Sequence, residues 1–165
     1  MAEQNKLIIS GEDEDTQKGK FLTFRLDNEV FGIEIKYVTE IIDVQPITYV
    51  PQVPDYVKGI INLRGKIIPV IDIRLRFKKE PKEYNERTCI VVIDFKDITI
   101  GLIVDCVVEV IKISDDNIVP PPNYKAGFHN PYIKGVGKVG NEVDLLLDCE
   151  KIIASEEISA LRDFD

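Results

Sequence analysis

The sequence contains no tryptophan, one methionine and a single histidine, and these scarcities leave little for catalysis. His129 lies in a proline-flanked segment, and no serine lies in a nucleophile elbow, so only a Cys–His pair stays open as a nucleophilic site. The three cysteines, Cys89, Cys106 and Cys149, form no C-x-x-C pair, so neither a zinc site nor a disulfide framework is indicated. We therefore predict no catalytic residues, no metal site and no cofactor.

The chain also lacks long apolar runs. The N-terminal run Leu7-Ile8-Ile9 is too short for the apolar core of a signal peptide. Charged residues such as Asp94, Asp105 and Glu109 interrupt the longest apolar segments, so no membrane span is predicted. We expect a soluble, cytoplasmic protein without direct membrane insertion, a compartment that also agrees with free thiols.

Charge of one sign is in excess, because the formal net charge is −8. Against this background the strip from Lys58 to Lys82 is cationic, with eight Lys or Arg and two acidic residues. Such a strip is typical of a solvated face or a docking patch for an acidic protein partner. The alternative is a nucleic-acid-binding β-barrel that uses this strip. Single-strand binders need stacking aromatics among the cations, however, and only Tyr56 and Phe77 flank this one.

The apolar residues that are present, mostly Ile and Val, alternate in short segments typical of β-strands. Strands are predicted at residues 20–26, 30–35, 60–63, 67–73, 88–95, 98–104, 107–113, 133–139 and 142–147. This number of strands at hairpin spacing predicts an all-β fold, a barrel or a pair of barrels. The run from Ile90 to Ile93 is apolar on both faces, which favours two barrels packed together or an obligate partner.

Helices are predicted at few places. Val38, Ile41 and Ile42 have the i, i+3, i+4 spacing of one helical face, so residues 36–42 are predicted to form a short helix with Glu40 off that face. Asp148 and Ser155 are candidate N-caps, for one helical turn and for a C-terminal helix at residues 156–161. The proline-rich residues 118–131 predict an extended loop rather than a central strand.

Arg64 occupies a tight turn, Arg64-Gly65-Lys66, between two of the predicted strands. A rigid turn fixes the position of a guanidinium, whose fork suits bidentate contact with a carboxylate. We predict that Arg64 pairs with Glu40 across a groove between the short helix and the hairpin, with Asp72 as the competing partner.

One glycine-rich segment matches a nucleotide-binding pattern. Residues 135–140 read G-x-G-x-x-G, a motif that holds phosphate only when a strand precedes it and a helix follows it. A strand is predicted to follow here, so we interpret the match as accidental and predict no nucleotide binding.

The stretch VPDYVKGIINLRGKIIPVIDIRLRF, residues 53–77, closely resembles the signature of the CheW family of bacterial chemotaxis coupling proteins. The upstream FGIEIKYVTEI and residues 100–105, 118–122 and 133–137 are similar to further elements of that family. The resemblance covers residues 20–161. It implies two packed five-stranded SH3-like β-barrels with short helices, including a C-terminal helix. Residues 1–19 would then be a disordered acidic tail and residues 162–165 the C-terminal end.

The resemblance also implies a function. Members of the family are non-catalytic adaptors that couple chemoreceptors to the histidine kinase CheA, so the expected partners are the regulatory domain of that kinase and the cytoplasmic tip of the receptors. The protein would be cytoplasmic and recruited to receptor arrays. By resemblance, Val38 and Gly59 match kinase-contact positions. The positions that match receptor contact or coupling are Glu40, Arg64, Gly101 and Val110.

Overall fold

A computed structural model describes residues 17–121 and 130–153 of the chain, and this part is built mainly from β-strands. The strands are β1 (Lys20–Leu26), β2 (Glu29–Glu34), β3 (Val38–Asp43), β4 (Val57–Leu63), β5 (Lys66–Asp72), β6 (Cys89–Phe95), β7 (Ile98–Val104), β8 (Cys106–Lys112), β9 (Ile118–Val119), β10 (Ile133–Val139) and β11 (Glu142–Leu147). The helices are α1 (Ile73–Arg76) and α2 (Cys149–Ile153), with 3₁₀ turns at Ile35–Tyr37 and Asp115–Asn117. None of the described helices is both long and apolar enough to cross a bilayer.

The strands form two sheets, which we call the six-stranded barrel and the five-stranded barrel. The six-stranded barrel has the order β8-β1-β2-β11-β10-β9, and the five-stranded barrel has the order β3-β6-β7-β5-β4. The chain starts in the first, crosses to the second for β3 to β7, and returns for β8 to β11. The predicted all-β fold of two barrels is confirmed, with the difference that the short edge strand β9 adds a sixth strand to one of them.

Both barrels follow one plan. In each, two antiparallel hairpins lie side by side and are joined by one parallel pair, β2 with β11 in the six-stranded barrel and β5 with β7 in the five-stranded barrel. A further antiparallel strand then extends each sheet, β8 beside β1 and β3 beside β6. The two barrels can therefore be compared position by position through their pairing registers.

The largest apolar cluster joins the two barrels. Stacked or tilted rings connect Phe24 to Phe31, Phe31 to Phe77, and Phe77 to Tyr132, with centroids 5.5–6.2 Å apart. Smaller clusters fill each barrel separately. Strand β6 serves both, since Val91 and Ile93 are in the shared core while Ile90 and Val92 are inside the five-stranded barrel. This arrangement explains the strands that are apolar on both faces.

A buried arginine also ties the barrels together. Arg74 on α1 donates through Nη1 to Asp27 Oδ1 at 2.9 Å and to Asp105 Oδ2 at 2.8 Å. Asp27 lies in the β1–β2 turn of the six-stranded barrel, while α1 follows β5 of the other. Burial acts to lower the pKa of Arg74, but the two carboxylates outweigh it and raise that pKa, so the guanidinium stays charged.

The helix predicted at residues 36–42 is wrong. A 3₁₀ turn ends at Tyr37, and Val38 begins strand β3, which pairs with β6. The register shifts between Val38 and Glu40, a β-bulge that leaves Thr39 unpaired. Because of this bulge, Val38 and Ile41 are both buried although they are three residues apart. The bulge thus reproduces the spacing of a helical face.

The other local predictions have separate outcomes. The side chain of Asp148 accepts a hydrogen bond from the Lys151 amide at 3.1 Å, as an N-cap of α2 does. In the proline-rich segment, Ile118–Val119 forms only a two-residue edge strand. Strand β11 follows the glycine-rich motif at residues 135–140, which confirms the predicted strand there. The helix predicted at residues 156–161 lies outside the described residues.

Candidate partner-binding site

The hairpin of β4 and β5 holds Arg64 at its tip. Leu63 pairs with Lys66, so Arg64 and Gly65 are a two-residue turn, and both have positive φ, +52° and +88°. Two positive φ angles define the type I′ turn, whose twist matches that of the flanking strands. Asn62 Oδ1 accepts a hydrogen bond from the Gly65 amide at 2.8 Å and further fixes the turn.

Arg64 and Glu40 form a bidentate ion pair. Arg64 Nη1 donates to Glu40 Oε2 at 2.6 Å and Nη2 donates to Oε1 at 2.5 Å. The predicted pairing is confirmed, although Glu40 lies on strand β3 and not on a helix. The competing partner, Asp72, instead accepts from the Arg74 amide, as an N-cap of α1, and from the Tyr84 hydroxyl.

The ion pair joins the two ends of the five-stranded sheet, because β3 is the first and β4 the last strand in its order. The hydrogen bond from Arg64 lowers the pKa of Glu40, although partial burial of the carboxylate opposes this. The side chain of Glu40 is 18% exposed and that of Arg64 is 69% exposed. Glu40 is therefore a fixed, charged anchor, while most of the guanidinium surface is open to a partner.

Three of the predicted site residues lie in one row across the five-stranded barrel. Glu40 pairs with Val92, Val92 with Gly101, Gly101 with Val70, and Val70 with Gly59. Positions far apart in sequence are therefore lateral neighbours in the sheet. We call this row the Glu40 row.

Both glycines of the Glu40 row are buried and allow close packing. A Cβ atom at Gly59 would lie 2.0 Å from the carbonyl oxygen of Thr48, and the φ of Gly59 is +144°. Thr48 in turn exchanges two backbone hydrogen bonds with Ile60, 2.8 and 2.9 Å long. A Cβ atom at Gly101 would lie 2.7 Å from Ile90 Cγ2. Both positions are structural glycines, and a larger side chain at Gly59, such as that of Gly59→Asp, would conflict with the Thr48 carbonyl.

The remaining predicted site residues are separated. Val38 is 2% exposed and packs in the shared core. Val110 is 37% exposed on β8, an edge strand of the six-stranded barrel. The structure therefore brings Glu40 and Arg64 into contact, places Gly59 and Gly101 in the same row of the sheet as Glu40, and leaves Val110 on the other barrel.

Half of the eight cations in the cationic strip pair with carboxylates in the fold. Arg64 and Arg74 are paired as described above. In addition, Lys79 pairs with Glu29, and Lys82 pairs with Asp105 at 3.7 Å. A surface for nucleic acid needs cations that are free to meet phosphates. The nucleic-acid alternative therefore has no support.

Sequence reasoning missed Arg76, which belongs to the same strip. Its guanidinium carbon lies 4.5 Å from the ring centroid of Tyr56 and 4.6 Å from that of Tyr132. This cation–π contact links the entrances of β4 and β10. The sequence did contain a signal for this contact. The pattern Tyr-(Val/Ile)-Lys-Gly occurs twice, beginning at Tyr56 before β4 and at Tyr132 before β10.

Fold and site together define a protein-interaction module: two small β-barrels that present a turn-held guanidinium on their surface. Among the described residues, no group of acidic, cysteine or histidine side chains could hold a metal ion. The model of the CheW-like domain family matches residues 20–157.

Similar proteins agree with that match. The chemotaxis protein CheW of Klebsiella aerogenes is 36% identical over 145 residues, 88% of this chain and 87% of that protein. The one of Treponema pallidum is 34% identical over 86% of both chains. The scaffolding protein TtCheW from Thermoanaerobacter tengcongensis has a TM-score of 0.75 and 31% identity, over 84% of this chain and 94% of that one. This chain belongs to the CheW family and is a chemotaxis coupling adaptor.

Proposed function

We propose that this adaptor is non-catalytic and links the cytoplasmic tip of chemoreceptors to the regulatory domain of the histidine kinase CheA. In that role it is cytoplasmic and is recruited to receptor arrays. The family match over residues 20–157 supports the proposal, as do similar proteins named for chemotaxis and scaffolding. In addition, residues 20–161 are proposed to be the CheW-like domain, with residues 1–19 an acidic tail that is dispensable for folding.

The observation that carries the proposal is the ion pair of Arg64 and Glu40. A bidentate pair on a rigid turn holds one orientation, so a partner meets a preformed contact and little side-chain entropy is lost on binding. We assign receptor contact to Arg64 and Glu40, with Val110 as a second exposed contact on the other barrel. Because Gly101 is buried, it acts on this surface through packing of the sheet.

Kinase contact is assigned to the two outer strands of the five-stranded barrel, β3 with Val38 and β4 with Gly59. Both residues are buried, so they act by shaping these strands and not by touching the kinase. The exposed Thr48 forms a bridge to Ile60 of β4, and the segment around it is the proposed docking strand.

The test is reconstitution of receptor fragment, kinase and adaptor, followed by a kinase activity assay. Arg64→Ala should melt close to the wild type, because exposed ion pairs contribute little stability. It should lose receptor control of the kinase while still binding the regulatory domain in sizing chromatography. Arg64→Lys should rescue poorly, since an ammonium lacks the planar fork.

Lys58→Ala is the matched control, because it removes one exposed cation from the same hairpin without touching the turn. It should behave as the wild type does. Normal receptor control in Arg64→Ala would remove Arg64 from the site. Failure of the wild-type chain to bind either partner would refute the adaptor role itself. Titration with ATP should release no binding heat, and saturable binding would contradict the non-catalytic assignment.

A further inference from the structure

The six-stranded barrel contains a row equivalent to the Glu40 row. Glu109 pairs with Thr23, Thr23 with Gly32, Gly32 with Leu146, and Leu146 with Gly135. Each row begins with a glutamate, has a glycine in the middle and ends with a glycine. The β-bulge is also repeated, since Thr23 pairs with Glu109 and the next residue of β1 pairs with Val107. Glu109 is therefore the structural counterpart of Glu40.

The hairpin turn opposite Glu109 lacks an arginine. Counting along the hairpin from Gly135, as from Gly59, places Gly140 where the other barrel has Arg64. The two residues have nearly the same backbone, with φ of +61° at Gly140 and +52° at Arg64. Within the described part of the chain, the side chain of Glu109 makes no hydrogen bond or ion pair. The position of the guanidinium is thus vacant in the six-stranded barrel.

Two more acidic residues lie on β11, the strand that follows this turn. Glu142 stands where the other barrel has Lys66, and Asp144 stands where it has Ile68. Asp144 is 3% exposed, and no described residue hydrogen bonds to its carboxylate. Burial raises the pKa of Asp144, as do the charges of Glu142 and Glu109, while Arg25 lowers it. The three carboxylates therefore repel one another, with one nearby guanidinium to offset them.

We propose that Glu109, Glu142 and Asp144 form a docking site for an arginine side chain presented by a protein partner. The geometry that supports it is the Glu40–Arg64 pair, in which the equivalent strand, bulge and hairpin of the five-stranded barrel hold a guanidinium. A buried carboxylate without a hydrogen-bond donor gains strongly from a guanidinium, whose five donors can satisfy several oxygens at once. The occupant is a protein segment, because the negative site repels phosphate-bearing ligands. The inference does not depend on the proposed adaptor role.

The direct test is an NMR titration of the ¹⁵N-labelled full chain with a capped Gly-Arg-Gly peptide. Saturable shifts are expected at Glu109, Glu142 and Asp144, with millimolar affinity because one side chain supplies the contacts. A citrulline peptide of the same shape should produce none. Absence of shifts with the arginine peptide, or equal shifts with the citrulline one, overturns the proposal. Equal affinity for a lysine peptide overturns the assignment to a guanidinium.

Gly140→Arg supplies the missing arginine from the chain itself. A Cβ atom at Gly140 meets nothing within 4 Å, so the side chain has room, and Arg64 tolerates the same backbone in the other barrel. This variant should reduce affinity for the arginine peptide by at least about tenfold. Gly140→Ala has the same backbone strain without the guanidinium and should bind as the wild type does. Glu109→Gln should also weaken binding. Unchanged affinity in both Gly140→Arg and Glu109→Gln overturns the proposal.

Discussion

The two barrels have the same strand plan but different interiors. In the five-stranded barrel, Ile61, Ile68 and Val92 fill the inside, and an ion pair joins its outer strands. At the equivalent positions the six-stranded barrel has Gly137, Asp144 and Thr23. The five-stranded barrel thus has an apolar interior and an ion pair between its outer strands, while the six-stranded barrel adds polar side chains and, among the described residues, unpaired carboxylates to its apolar cluster. The difference shows that one strand plan can serve two purposes. The five-stranded barrel holds its guanidinium in an internal ion pair, and the six-stranded barrel leaves its carboxylates available to a guanidinium from a partner.

The largest expected effect tests whether the barrels behave as one unit. Arg74→Met removes the buried guanidinium that joins them and leaves the largely buried Asp105 with only the Asp27 amide and Lys82 as partners. Loss of one partner from a buried ion pair costs about 3–5 kcal/mol, so the free energy of unfolding in urea should fall by that amount. The control, Lys134→Met, removes an exposed pair with Glu34 and should cost about 0–1 kcal/mol. Equal effects would mean that Arg74 does not hold the barrels together.

The next effect compares the glycines at the ends of the two rows. Gly59→Ala should cost about 2–4 kcal/mol, because it adds backbone strain to a clash with the Thr48 carbonyl. At the equivalent Gly135, a Cβ atom lies 3.1 Å from Ile118 Cγ2 and 3.4 Å from the Val119 oxygen. Gly135→Ala should therefore cost less than about 1 kcal/mol. Thermal unfolding of both variants measures the two losses of stability. Similar losses would show that the chain packs equally closely against both glycines.

A smaller difference is expected at the middle glycines. The new Cβ atom of Gly101→Ala meets Ile90 Cγ2 and Val70 Cγ1, both on β-branched side chains with restricted rotamers, so a loss of about 1–3 kcal/mol is expected. The new Cβ atom of Gly32→Ala meets the end of the flexible Leu146 side chain, 2.9 Å away. Gly32→Ala should therefore lose less free energy of unfolding than Gly101→Ala. A larger loss for Gly32→Ala in urea unfolding would contradict the denser packing of the five-stranded barrel.

The smallest effect is a pH dependence of opposite sign in the two barrels. The pKa of Glu40 is lowered in the fold, so its stabilisation is present above its ordinary value of 4.5 and is lost as the pH falls through the folded pKa. The pKa of Asp144 is raised, so wild-type stability declines as the pH rises from its ordinary value of 3.8 through the folded pKa.

These signs predict two opposite variants. At neutral pH, Glu40→Gln should melt below the wild type and Asp144→Asn above it. Both differences should shrink in acid, where the wild-type carboxyl groups are protonated. Melting curves from pH 3 to pH 7 make the comparison. A lower melting temperature for Asp144→Asn at neutral pH would show that the Asp144 carboxylate is satisfied in the fold.

Much of the fold was predictable from local patterns. Alternating Ile and Val residues located the strands, and the two-residue turn at Arg64-Gly65 fixed the position of a guanidinium that a nearby carboxylate then met. Residues 36–42 could not be assigned correctly, because the bulge at Thr39 gives Val38 and Ile41 a helical spacing inside a strand. Such a bulge is set by the partner strand β6, which is distant in sequence.

Burial of single cations was equally invisible from the sequence. Arg74 lies in a strip of lysines and arginines whose sequence is typical of a solvated face. The partners that bury it, Asp27 and Asp105, are 47 and 31 residues away in the chain, so no local pattern indicates them. The internal repeat was detectable in principle, since Tyr56 and Tyr132 each begin a Tyr-(Val/Ile)-Lys-Gly run. Only the pairing registers, however, match Glu109 with Glu40, because the intervening segments differ in length and composition.

The route of the chain has a consequence for synthesis on the ribosome. Strands β1 and β2 emerge first, but their parallel partner β11 emerges nearly last, and the ion pair of Glu34 with Lys134 joins residues 100 positions apart. The five-stranded barrel, from β3 to β7, can form while the first hairpin still has unpaired edges. Nascent chains should therefore depend on chaperones or on rapid completion of translation, since exposed strand edges promote aggregation. Premature termination between β7 and β11 would release a formed barrel attached to an unfinished one.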